Sequence, residues 1–266
     1  MKCPYIFIFD IDNAIIGNAY YIVREYQINK NIIDLNNDIK PMKLDFTDDM
    51  KKGLLRPGFA DFINFCKKKY KKCEFYVYTK SAYHWVHGGL VESIEKEANI
   101  KFNKPYFTRE DTIPYSGKSI KILVDHIKDK YKLKYEINNN IIFIDDIENN
   151  TTTYKNRQIK CPKYENIIYR DVYQSLTNLY GEKIIKTNNI EKIFVDECEL
   201  PYYNEKSENI LSNSKDYFEL LNITNKKHAE LHNIKYKDDI FFATLIKNLT
   251  NLSDKTINRI NKQLNN

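Results

Sequence analysis

The chain has 266 residues and a formal net charge of +6, enough for one large domain or two small ones with a buried core. Acids and bases are interspersed throughout, so the mild positive charge favours anionic partners such as phosphates and falls short of a nucleic-acid footprint. An aromatic content of 14% excludes a disordered chain, and the wealth of Asn, Lys, Ile and Tyr reads as the codon bias of an AT-rich genome.

Tyr5–Phe9 (YIFIF) is aromatic and β-branched, which predicts a buried strand, and it runs directly into Asp10 and Asp12. Gly17 to Gly53 is polar and Asn-rich, and is expected to hold a small hairpin or a long active-site loop. Pro57 followed by Phe59, Phe62, Ile63 and Phe65 predicts a helix from about Pro57 to Tyr70. Glu74–Tyr78 predicts a second strand, ending at Thr79, with a helix from about Ala82 to Glu97 beyond it. Lys118–Lys130 reads as an amphipathic helix with Ile122, Leu123 and Ile127 on one face. Asn140–Ile144 predicts a third strand, ending in Asp145-Asp146, and Asn166–Tyr169 a weak fourth before Asp171. From Gly181 onward the chain turns charged and mainly helical. Strand spacing shows there only at Ile193–Val195, and helices are expected at Lys215–Leu221, near Thr224–His232 and from Asp238 to about Leu264.

Strands alternating with helices predict an α/β fold around a parallel sheet, in which functional residues gather at the carboxyl ends of the strands. Asp10, Asp12, Thr79, Asp145 and Asp146 all fall at such ends. Asp10 and Asp12 leave the backbone on the same side, and like charges held that close need a cation between them. Phosphoryl transfer would use this set. Asp10 suits the role of nucleophile and Asp12 that of acid and base, while Thr79 offers a hydroxyl to a phosphoryl oxygen. Asp10, Asp12, Asp145 and Asp146 offer the hard oxygen ligands that magnesium takes. A lysine must balance the acids, and Lys118 in SGKSIKIL is the first choice, with Lys121 in reserve.

Taken in order, the segments FIFDIDNAIIG, LLRPGFADFINF, FYVYTKSAYHWV, FTRED and IIFIDDIENN resemble the haloacid dehalogenase (HAD) superfamily. Within it they are most similar to the polymerase C-terminal-domain phosphatases, the NLI-interacting-factor-like branch. DDIFFATLIKNLTNL from Asp238 resembles the helix that closes that family's domain. The resemblance implies a HAD-like (Rossmann-like) parallel sheet flanked by helices, with a helical C-terminal region. It also implies a Mg²⁺-dependent phosphomonoesterase with an aspartyl-phosphate intermediate, acting on phosphoserine or phosphothreonine in a protein. Residues 1–180 are then the catalytic core, with 18–53 as a loop or cap insertion; 181–266 form the helical region, with 238–264 packing on the core. The sequence departs from the family at Asn13, at Ala14 and at the pair Asp146-Ile147. Two alternatives stay open: a nucleotide or nucleic-acid-end phosphatase, and a catalytically silent HAD-like binding protein.

The remaining features have plainer readings. Cys3, Cys66, Cys73, Cys161 and Cys198 are scattered and odd in number, indicating neither a zinc site nor a disulfide framework. The opening apolar run is too short for a signal peptide or membrane span, so a soluble cytoplasmic or nuclear protein with no membrane partner is expected. His228 and His232 read as surface residues, and Lys67–Lys72 as the cationic end of a helix.

Overall fold

A computed structural model describes residues 4–35, 44–112, 117–134, 137–169, 171–181 and 238–264, with isolated positions between 223 and 230. Its centre is a four-stranded, wholly parallel sheet in the order β2-β1-β3-β4: β1 Tyr5–Phe9, β2 Cys73–Val77, β3 Ile141–Asp145 and β4 Gln158–Lys160. Alternation along β1 sends side chains to both faces. On one face Phe7 and Phe9 meet Phe59 and Phe62 of helix α3 (Phe59–Lys69) at ring distances of 5.3–6.3 Å. On the other, Ile6 and Ile8 join Tyr76, Tyr78 and Phe143 against Ile120, Leu123, Val124 and Ile127 of α6 (Ile120–Tyr131). A sheet covered on both faces needs the continuous apolar strands that these sequences supply.

Two compact units are distinguished by their internal contacts. The larger comprises residues 1–18, 45–166 and 236–266, and holds the whole sheet. It includes α2 (Thr47–Asp49, continuing as a widened turn to Leu54), α4 (Tyr83–Trp85), α5 (Val91–Ala98), α8 (Phe241–Asn248) and α9 (Asp254–Leu264). Here α8 seats Phe242 on Phe59 and Phe62, while α9 is tied to the start of β4 by Arg157, which bonds Asp254, the Leu252 carbonyl and the Ile141 carbonyl. The smaller unit, residues 19–44 and 167–235, pairs α1 (Tyr20–Leu35) with α7 (Val172–Tyr180) through Ser175 to Glu25 and Tyr180 to Asn29. Asp171 caps α7 by accepting the Gln174 N–H at 2.9 Å.

Several expectations need correction. Residues 20–35 form a helix, not a hairpin or loop; its Ile22 and Ile32 are buried among polar neighbours that conceal the periodicity. The fourth strand is Gln158–Lys160, and 166–169 holds only an isolated bridge at Ile167; a three-residue strand is too short to show a period. The helix expected over 82–97 is interrupted by a wide turn at Val86–Leu90, where Gly89 takes φ 124°. The closing helix is two helices separated at 249–253. The expected elements at 193–195 and 215–221, with His228 and His232, lie outside the described residues. Among the described residues no helix is long and apolar enough to cross a membrane, and Cys66, Cys73 and Cys161 are free thiols.

Candidate active site

Parallel register brings the ends of β1, β2 and β3 to one edge of the sheet. Asp10 follows β1 immediately, and its N–H bonds the Ile144 carbonyl at 2.9 Å, which locks it beside the end of β3. Its Oδ1 accepts the Ile11 N–H at 2.9 Å and the Lys118 ammonium at 2.8 Å. Among the described residues no donor holds Oδ2, which leaves that oxygen for chemistry. Asp145 closes β3 in full burial: Oδ2 accepts Lys118 Nζ at 2.7 Å and Asn150 Nδ2 at 2.9 Å, and Oδ1 accepts the Ile147 N–H at 2.8 Å.

Lys118 reaches this point because its backbone is laced to the loop after β3. Its N–H bonds the Asn150 carbonyl at 2.7 Å, and its own carbonyl accepts the Thr152 N–H at 3.0 Å. Gly117 permits the approach, since a Cβ there would stand 2.6 Å from the Asn150 oxygen. The stem is wholly buried, with Nζ 5.2 Å from the Phe143 ring centre. Lys121, the reserve candidate, is instead exposed and paired with Asp125 at 2.5 Å, one helical turn on.

Asp10, Asp145 and Asp146 each present an oxygen within 4.8 Å of the others. Asp12 is not one of the three, although its place in the sequence counts it among the metal ligands. Its half-buried carboxylate turns to Ser81 Oγ at 2.5 Å and Thr79 Oγ1 at 3.4 Å. The Thr79 hydroxyl also accepts the Ser81 N–H at 3.1 Å, so it organises the loop that holds Asp12. Ser81 and Asn150 are site residues that the sequence does not single out, although both lie in the family-like segments; a hydroxyl and an amide carry no signal until their partners are known. Arg109 is a third such residue. Its Nε donates to the Lys80 carbonyl at 2.9 Å and its N–H to the Ser81 carbonyl at 3.0 Å, which sets an exposed cation beside the loop that orients Asp12.

The electrostatics are those of crowded, buried acids. Burial pushes the Asp10 carboxyl up to about 7 against the pull of Lys118, with Asp145 and Asp12 adding to the rise. Burial and then the Asp145 charge raise Asp146 as well. Lys118 is opposed by its own burial, yet Asp10 and Asp145 hold it above the ordinary lysine value. Three carboxylates against one ammonium leave two negative charges in excess when all are ionised. The donor set is all hard oxygen, so a hard divalent cation, the class to which magnesium belongs, fits these residues in both charge and chemistry. Asn13 follows with φ 58°, a left-handed position that asparagine tolerates, and Ala14 is fully buried. Asn13, where the sequence departs from the family pattern, therefore suits the backbone it occupies.

A family model described as NLI interacting factor-like phosphatase matches residues 5–194. No curated protein sequence matches. Solved structures also resemble the chain, two of them RNA polymerase II CTD phosphatases. The first, Fcp1, an essential RNA polymerase II CTD phosphatase, is 16% identical with a TM-score of 0.36, the match covering 88% of this chain and 64% of that one. The second, the fission yeast RNA polymerase II CTD phosphatase Fcp1 bound to beryllium fluoride, is 14% identical with a TM-score of 0.39, covering 96% and 69%. The chain thus spans just under two thirds of the first structure's length.

Proposed function

Since the chain belongs to the NLI interacting factor-like phosphatases, we propose that it is a magnesium-dependent phosphomonoesterase working through an aspartyl-phosphate on Asp10. The observation that carries this reading is the buried Lys118 bridge, which anchors Asp10 through Oδ1 and engages no more than that oxygen. Asp10 Oδ2 attacks phosphorus and the P–O bond to the leaving group breaks. Asp12, held by Ser81 and Thr79, delivers its proton to the departing alkoxide. In the second half Asp12 takes a proton from water, whose oxygen attacks phosphorus and releases Asp10. Lys118 neutralises charge on Asp10 and Asp145 throughout. Asp10, Asp145 and Asp146 would hold magnesium, which supplies positive charge to the phosphoryl oxygens when bound.

The substrate class we assign is a phosphoserine or phosphothreonine protein, in keeping with the family resemblance. Free, buried Cys66 and Cys161 suit a reducing compartment, and we place the protein in the cytoplasm or nucleus. A hydrolysis screen over phosphopeptides, nucleotides and 3′- or 5′-phosphorylated oligonucleotides tests the assignment. Preference for phosphopeptides supports it, and preference for nucleic-acid ends replaces it. Chelation should silence activity and Mg²⁺ restore it, with Asp145→Ala raising the Mg²⁺ requirement about tenfold or more. Hydrolysis that survives chelation would count against the metal-dependent reading.

Asp12→Asn separates acid from nucleophile. It should slow an alkyl ester such as a phosphoserine peptide by roughly 10²–10⁴-fold. The aryl ester p-nitrophenyl phosphate, whose leaving group needs no proton, should instead give a burst followed by slow turnover, because the second half still needs the base. Equal losses without a burst would make Asp12 a structural residue.

A further inference from the structure

Three consecutive peptide carbonyls after Asp12, those of residues 13–15, each accept a hydrogen bond. The Asn13 carbonyl accepts the Tyr164 N–H at 2.8 Å, the Ala14 carbonyl accepts Arg56 Nη1 at 3.1 Å, and the Ile15 carbonyl accepts the Arg56 N–H at 3.0 Å. Arg56 thus supplies two of three consecutive contacts, and it does so from full burial. Its guanidinium is fixed by a fork: Nε and Nη2 donate to Asp239 Oδ1 and Oδ2 at 2.9 and 2.8 Å, which leaves Nη1 aimed at Ala14. Phe241 and Tyr164 cover it, with ring centres 4.5 and 5.4 Å from Cζ. Asp239 lies 183 residues further along the chain, just before α8.

A buried ion pair is a poor device for stability alone, because apolar residues of similar volume usually serve as well. What it supplies here is direction. A planar donor with one edge clamped can point its remaining nitrogen one way only. The loop it meets begins at Asn13 in the left-handed region, a turn that asparagine permits and that the contacts at 13–15 hold in one place. We propose that Arg56 is a positioning residue for the loop that carries Asp10 and Asp12, and that Asp239 acts through it, making the segment before α8 a working part of the catalytic unit. The inference rests on the phosphatase reading for its activity readout, and amide exchange tests it independently of that reading.

The discriminating variant is the double substitution Arg56→Met with Asp239→Leu in the full chain. Removing both charges together should return the melting temperature to within a few degrees of wild type, whereas Asp239→Leu alone should lower it by about 10 °C through an unpaired buried arginine. In the double variant kcat on p-nitrophenyl phosphate should stay about 30–100-fold down with KM within about twofold, the signature of misplaced groups with binding intact. Amides of residues 13–17 should exchange about tenfold faster than in wild type while the sheet amides do not. Arg56→Lys keeps the charge without the fork, and should fold with kcat about tenfold down even if the double variant does not fold. Recovery of kcat to within about threefold in the stable double variant, or unchanged exchange at 13–17, would overturn the proposal and leave the pair a packing feature. Wild type lacking all hydrolysis would remove the phosphatase reading, and the exchange result would still decide the role of the clamp.

Discussion

Asp10→Asn should abolish turnover, with a loss on the order of 10³-fold or more, because an amide oxygen does not displace a leaving group from phosphorus. The same change should leave the fold intact. Asparagine keeps an oxygen for the Ile11 N–H and the Lys118 ammonium, the two contacts that fix Oδ1. The metal-free protein should even gain stability. Burial raises the Asp10 pKa from 3.8 to about 7, so folding favours its protonated form. An acid raised in this way costs nothing below its unfolded pKa; the cost grows as pH rises and is complete above the folded value. Melting curves in chelator should therefore show wild type falling behind Asp10→Asn between about pH 4 and pH 7, with the gap constant above that. A gap that is absent or widens on acidification would mean that Lys118 keeps Asp10 ionised. Residual turnover near wild type would end the aspartyl-phosphate mechanism.

Lys118→Met should cost both activity and stability. The side chain is fully buried with carboxylates at 2.8 and 2.7 Å, so its loss strands both buried acids, Asp10 and Asp145, without their cation. Breaking a buried pair from one side costs about 3–5 kcal/mol, and losing positive charge at the reacting group should lower kcat by roughly 10²–10³-fold. The pH dependence has a definite sign. With its folded pKa raised, Lys118 contributes stability that is fully present below about 10.5 and is lost only above it, so wild type keeps the benefit at neutral pH. In the variant the stranded acids can protonate, so the deficit should shrink as pH falls. Lys118→Arg should not rescue, since a larger planar head has no room at a fully buried site. Lys121→Met, on the exposed face of α6, should stay within about 0.5 kcal/mol of wild type with unchanged kcat. The reverse ranking of the two lysines in thermal melts and kinetics would refute the assignment.

The α/β class and its first three strands were legible because aromatic and β-branched runs of five residues that end in acid or threonine suit buried strands closing at a sheet edge. Asp10, Asp12, Asp145 and Asp146 stood out for the same reason, since charge directly after a buried strand is a local fact of sequence. The helix at 20–35 and the short β4 were not legible, as polar neighbours mask the first period and three residues cannot display one. Tertiary structure alone separated Lys118 from Lys121, three positions apart in a lysine-rich chain. The difference is the backbone pairing of 117–118 with 150–152, which sets one ammonium between two carboxylates and leaves the other in water. It also turned Asp12 toward Ser81 and joined Arg56 to Asp239. Each of these depends on partners tens to hundreds of residues away, and a hydrogen bond that closes only when two distant segments dock leaves no period, run or spacing in either of them.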